Sequence, residues 1–154
     1  MHQPPGNLLF LKEREEFEAR QIAHCYERPL RFASKYRDVA SFHVGFSGIL
    51  IEQMLDRAVR NRYLDILDFQ KVLDGYRNAD NIEVLGMGYY HPVFPLIPME
   101  AWEAHIRRWQ STARDVFGRR EFQGFWPPEM GFSMEMIPAL VNAGFKYVIV
   151  DGVH

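Results

Sequence analysis

The sequence predicts an α/β fold in which parallel strands alternate with helices, and three observations carry that expectation. Short runs of β-branched and aromatic residues alternate with longer segments whose apolar residues recur at helical spacing. Polar and aromatic side chains collect just after the short runs, where parallel α/β folds place their function. Composition is that of an ordinary globular chain: 154 residues, 18 basic against 20 acidic side chains for a net charge of −2, with 47% hydrophobic and 25% charged. That balance excludes collagen-like, wholly disordered and strongly basic nucleic-acid-binding classes. One domain spanning residues 1–154 is expected.

Taken in order, residues 13–36 set Phe17, Ile22, Ala23, Tyr26, Leu30 and Phe32 among charges. They read as two helices meeting near Pro29, because proline is accepted only in a helix's first turn. Residues 39–44, ended by Gly45, suit a buried strand. Residues 49–60 place Ile51, Met54, Leu55 and Ala58 at helical spacing, and Ile66, Phe69, Leu73 and Tyr76 mark a further helix. A second strand over 82–86 runs into a loop at 88–92. The clearest helix covers 99–117, where Trp102, Ile106, Trp109, Ala113, Val116 and Phe117 form one apolar stripe and Gly118 ends it. Residues 124–126 hint at a third strand before Pro127 and Pro128. Ser133 opens a helix that accepts Pro138 only in its first turn, Gly144 stops it, and 147–150 form the fourth strand.

The opening His2-Gln3-Pro4 would fit the end of one more strand, and the chain stops four residues after the last one. Both ends read as cut, so the simplest expectation is an incomplete piece of a larger barrel. No stretch approaches the length of a membrane span, and Met1 is not followed by a basic segment and an apolar run. Cys25 is the single cysteine, so no internal disulfide can form and a reducing, cytoplasmic setting is expected.

Aromatic content of 14% is the unusual number, and flat rings suit sugars and cores equally. Glu129 stands in Trp126-Pro127-Pro128-Glu129-Met130, where prolines and rings would orient a carboxylate against apolar surface. A loop carboxylate that merely faces water is the competing reading. Glu83 lies within an apolar strand, so it must be paired, at an edge or directed into a polar cavity. Among the histidines, His24 and His105 fall on charged helix faces and read as surface. His2, His43, His91 and His154 fall at predicted strand ends, yet no two share the close spacing of a metal-ligand motif. Neither a metal nor a cofactor is expected. No nucleophile elbow, phosphate loop or dinucleotide fingerprint is present, and Arg107-Arg108 reads as a solvated face.

His2-Gln3-Pro4-Pro5, the segment Asn81-Ile82-Glu83-Val84 leading into Tyr89-Tyr90-His91-Pro92, and Phe125-Trp126-Pro127-Pro128-Glu129-Met130 with 147–154 together resemble glycoside hydrolase family 57. They match the first three of that family's motifs, in order, over almost the whole chain. The resemblance implies an incomplete (β/α)7 TIM-like barrel, cut here at both ends. It also implies retaining activity on α-glucans of the amylase, branching or glucanotransferase type. Glu129 is then the family's nucleophile, and His2 and Glu83 come from the substrate site. His43, Tyr90, His91, Trp126 and Asp151 join them as candidate substrate-binding residues. The implied general acid/base is an aspartate of a later motif that nothing here matches, so this chain alone should be inactive. Pro128 and Met130 depart from the polar and basic neighbours that several members carry beside the nucleophile.

The expected partners are an oligo- or polysaccharide and the missing remainder of the barrel, with neither nucleic acid nor membrane. Two alternatives stand beside this reading. One is a metal-dependent polysaccharide deacetylase-like barrel that uses the strand-end histidines. The other is a non-catalytic carbohydrate-binding fragment.

Overall fold

The structure is a computed structural model that describes residues 1–119 and 121–152. Its elements run α1 (Asn7–Arg14), α2 (Glu16–Lys35), β1 (Phe42–Gly45), α3 (Gly48–Leu55), α4 (Arg57–Tyr63), α5 (Phe69–Asn78), β2 (Ile82–Leu85), α6 (Trp102–Phe117), β3 (Gly124–Phe125), α7 (Met136–Asn142) and β4 (Tyr147–Val148). The alternation read from the sequence is therefore present, and the fold is α/β.

All strand pairs are parallel. β1 pairs with β2, with His43 opposite Glu83, and β3 pairs with β4, with Gly124 opposite Tyr147. The two pairs are joined at Gly86, which bridges to Phe125: Gly86 N–H donates to the Gly124 carbonyl and Trp126 N–H donates to the Gly86 carbonyl, each at 2.8 Å. Only glycine fits there, since a Cβ on Gly86 would lie 2.4 Å from the Phe145 ring. Spatial order thus follows chain order, as helical crossovers between parallel strands require. Met1 continues the pattern at the other edge. Its amine donates to the Gly45 carbonyl, and its carbonyl accepts from Ser47 N–H.

Alternation along β1 and β2 explains the two faces of this sheet. Val44, Ile82 and Val84 are buried, whereas His43 and Glu83 share the opposite, more open face. On α6 the apolar stripe is buried at Trp102, Ile106, Trp109, Ala113 and Phe117, while Arg107, Arg108 and Arg114 face out. Trp109 also donates its indole N–H to the Phe46 carbonyl at 2.6 Å, so the ring is both core and tether. Gly118 ends the helix in the left-handed region at φ 65.

Three expectations change. Residues on both sides of Pro29 form one helix, because the buried face of Ala19, Ala23, Tyr26 and Ala33 runs continuously past it. The carbonyl that loses its helical donor is that of Cys25, an exposed residue that water can reach. The helix expected over 49–60 breaks at Asp56, whose carboxylate leaves α3 and caps α4 by accepting from Val59 N–H at 3.0 Å. Helix α1 was not read at all. It forms around buried Leu8 and Leu11, and the Leu8 carbonyl accepts from the Tyr63 hydroxyl. No helix among the described residues is long and apolar enough to cross a membrane.

Candidate functional site

Three loops at the C-terminal ends of the strands carry the candidate residues, and each is fixed by its local sequence. After β1, Ser47 caps α3 by accepting from Leu50 N–H at 3.3 Å. After β2, Gly88 lies against Pro92 and Phe94, and His91 takes a left-handed backbone at φ 61. After β3, Pro127 and Pro128 stiffen a turn in which Glu129 (φ 53) and Met130 (φ 57) are both left-handed. Two consecutive non-glycine residues in that region are strained, and strain of this kind gathers at functional sites.

These loops bring His2, His91 and Glu129 together. The two imidazoles stack with centroids 4.3 Å apart and planes 12° from parallel, and His91 Nδ1 lies 3.8 Å from a Glu129 carboxylate oxygen. Burial pushes the His91 imidazole down to about 4, with His2 adding to the effect and Glu129 opposing it. Burial likewise lowers His2, helped by the nearby N-terminal amine and again opposed by Glu129. Both rings are therefore neutral at neutral pH, beside a carboxylate. That carboxylate is 73% exposed, so the wall of apolar surface expected around Glu129 is absent among the described residues.

A second group lies across the open face of the strands. Glu83 accepts from Gly124 N–H at 3.0 Å and stands 3.4 Å from His43 Nε2. The Tyr147 phenol also bonds to this carboxylate; burial and Glu83 together push it up to about 12. A Cβ on Gly124 would strike the Tyr147 ring at 2.4 Å, which is why the strand carries glycine there. The inward Glu83 is thus paired, as its position in an apolar strand demanded. A cleft of about 340 Å³ reaches one histidine of each group, lined by Met1, Pro29, His43, Met87, His91 and Trp126 among others, with the Trp126 indole partly open to solvent.

Other candidates lie elsewhere. Tyr90 turns toward α6, where it stacks edge-on against His105 and meets the Arg108 guanidinium, which also lies over Tyr89. Asp151 is exposed beyond β4, and His154 lies outside the described residues. His105 is not a surface histidine: it packs on Phe94 and Tyr90, and its Nδ1 is buried without a hydrogen-bond partner among the described residues. Sequence reasoning missed Ser47 and Tyr147. A serine directly before Gly48-Ile49 is an N-cap signal, whereas nothing local marks Tyr147 as a partner of Glu83. Among the described residues no group of three His, Cys, Asp or Glu side chains is arranged to hold a metal ion, which leaves the deacetylase-like alternative without a ligand set there.

Fold and site together define a parallel α/β chain that sets a strained carboxylate against paired imidazoles at the C-terminal end of its strands. The chain belongs to Glycosyl hydrolase family 57, whose family model matches residues 8–154. It is 31% identical over 155 residues to an alpha-amylase of Pyrococcus furiosus, covering 99% of this chain and 21% of that one. It is 29% identical over 156 residues to a 4-alpha-glucanotransferase of Thermococcus kodakarensis, with 99% and 21% covered. The crystal structure of 4-alpha-glucanotransferase from Thermococcus litoralis superposes with a TM-score of 0.70 at 25% identity, over 97% of this chain and 21% of that one. The alpha-amylase AmyC of Thermotoga maritima superposes at 0.67 over 92% of this chain and 35% of that one; at 16% identity this likeness speaks for the fold alone. The chain spans about a fifth of the length of the curated relatives it matches.

Proposed function

We propose that residues 1–154 form part of an incomplete (β/α)7 barrel that acts on α-glucans by retaining double displacement, with Glu129 as the nucleophile. The observation that carries this reading is the Glu129 carboxylate, held by a left-handed backbone at the end of β3 and set 3.8 Å from His91. Family membership and the names of the relatives, amylase and glucanotransferase, supply the substrate class. In this reading His2, His43, His91 and Trp126 bind sugar around the cleft, Glu83 supports them from β2, and Asp151, beyond β4, is a further candidate substrate contact. Tyr90, engaged with Arg108, is the weakest of the candidate substrate contacts.

Double displacement needs a second carboxyl about 5–5.5 Å from the nucleophile, to protonate the leaving oxygen and then to activate water. Family resemblance gives that role to an aspartate of a later motif. Proton transfer by a positioned group contributes roughly 10²–10⁴-fold, so the 154-residue chain should bind oligosaccharide yet turn it over negligibly.

An α-glucosyl fluoride partly bypasses leaving-group protonation and is the sensitive test. Turnover of the fluoride should fall roughly 10³-fold or more in Glu129→Gln. Turnover indifferent to that change would refute Glu129 as nucleophile. Robust hydrolysis of maltooligosaccharides by the 154-residue chain would instead place an acid/base within it, with Glu83 and Asp151 the first residues to mutate.

A further inference from the structure

Ser47 is fully buried, and its hydroxyl oxygen already accepts from Leu50 N–H at the start of α3. The hydroxyl proton still needs an acceptor. His2 Nδ1, at 2.9 Å, is the acceptor within reach among the described residues. Were that nitrogen protonated instead, the serine proton would be left buried and unsatisfied, which the fold disfavours. Ser47 holds the same segment a second way, since its backbone N–H donates to the Met1 carbonyl at 2.9 Å. One residue therefore both places His2 and faces its Nδ1 with a donor.

We propose that Ser47 is a positioning residue for the candidate site: its hydroxyl donates to His2 Nδ1 and so fixes the proton of the neutral imidazole on Nε2. The stacked pair beside Glu129 then offers a fixed hydrogen-bond donor, suited to a substrate hydroxyl or ring oxygen, in place of an interchangeable donor and lone pair. The His91 ring, stacked 4.3 Å away and 12° from parallel, packs on the face of the His2 ring and leaves its edge nitrogens to the Ser47 contact and to ligand. This consequence rests on the site assignment above, whereas the tautomer itself does not.

Nitrogen-15 NMR of the imidazole-labelled 154-residue chain at neutral pH reads the tautomer directly. His2 should give a protonated Nε2 and an unprotonated Nδ1. Ser47→Ala removes the cap as well as the hydroxyl, so Ser47→Gly is the companion variant, because glycine is well accepted at an N-cap. In Ser47→Gly the His2 signals should shift toward a mixture of both tautomers while the other histidines keep theirs, and Ser47→Thr should restore the Nε2-protonated form. A wild-type His2 protonated on Nδ1 would overturn the proposal, as would an Nε2-protonated population unchanged in Ser47→Gly. Because these spectra need no turnover, a failure of the proposal is distinguishable from a failure of Glu129 as nucleophile.

Discussion

Burial keeps the His91 imidazole neutral down to about pH 4, whereas in the unfolded chain it titrates near its ordinary 6.5. The sign follows directly: above 6.5 neither state binds the proton, and as pH falls toward 4 the unfolded state binds it first, so the native state loses stability across that window. Urea unfolding at pH 7 and pH 4.5 should differ by on the order of 2 kcal/mol from this group. His91→Asn, which tolerates the left-handed backbone, should remove that part of the dependence; an unchanged pH slope would contradict the burial argument. Single positions also mark the limit of what the sequence disclosed. Glu129 stood out because prolines and rings flank it, and Glu83 because a carboxylate inside an apolar strand must be paired, as it is here with Gly124 N–H. Tyr147 meeting Glu83, and Tyr90 turning outward to Arg108, depend on how separate elements come together, which local pattern does not encode.

Helix α6 was legible for a different reason, since a stripe of large apolar residues at 3.6-residue spacing leaves one way to face the sheet. Trp109 is its anchor, fully buried against Phe122 and tied to the Phe46 carbonyl. Trp109→Ala should cost about 3–5 kcal/mol, the range for removing a large buried ring, and a melting temperature near wild type would count against that role. Where the reading failed, a local rule met a stronger tertiary one. Pro29 should stop α2, yet the buried face on both sides of it keeps the helix going. Asp56 looks ordinary inside a helical pattern, yet an Asx cap outweighs continuation there. Strand–helix alternation survived both errors because it needs only the order of the elements, not their ends.

Taken whole, the molecule leaves much apolar surface open. Phe17, Val39, Leu96 and Met134 are each at least 70% exposed, and on α7 Ile137 and Val141 also face outward. No described strand pairs with the outer edge of β4. Parallel sheets ordinarily have both faces covered and their edges protected, so the 154-residue chain should self-associate in solution. Sedimentation velocity should give a weight-average mass that rises with concentration. A clean monomer that unfolds cooperatively at every concentration would oppose it.

Selection for thermal resistance would work against the candidate site. His91, Glu129 and Met130 all hold a left-handed backbone, at φ 61, 53 and 57. Glycine at such a position relieves on the order of 1 kcal/mol of steric strain. A library screened only for survival on heating should therefore be enriched in glycine or asparagine at these three sites, discarding the carboxylate and one of the stacked imidazoles. Residues that such a screen removes and a screen for oligosaccharide binding retains would mark the places where the fold gives up stability to hold its candidate site.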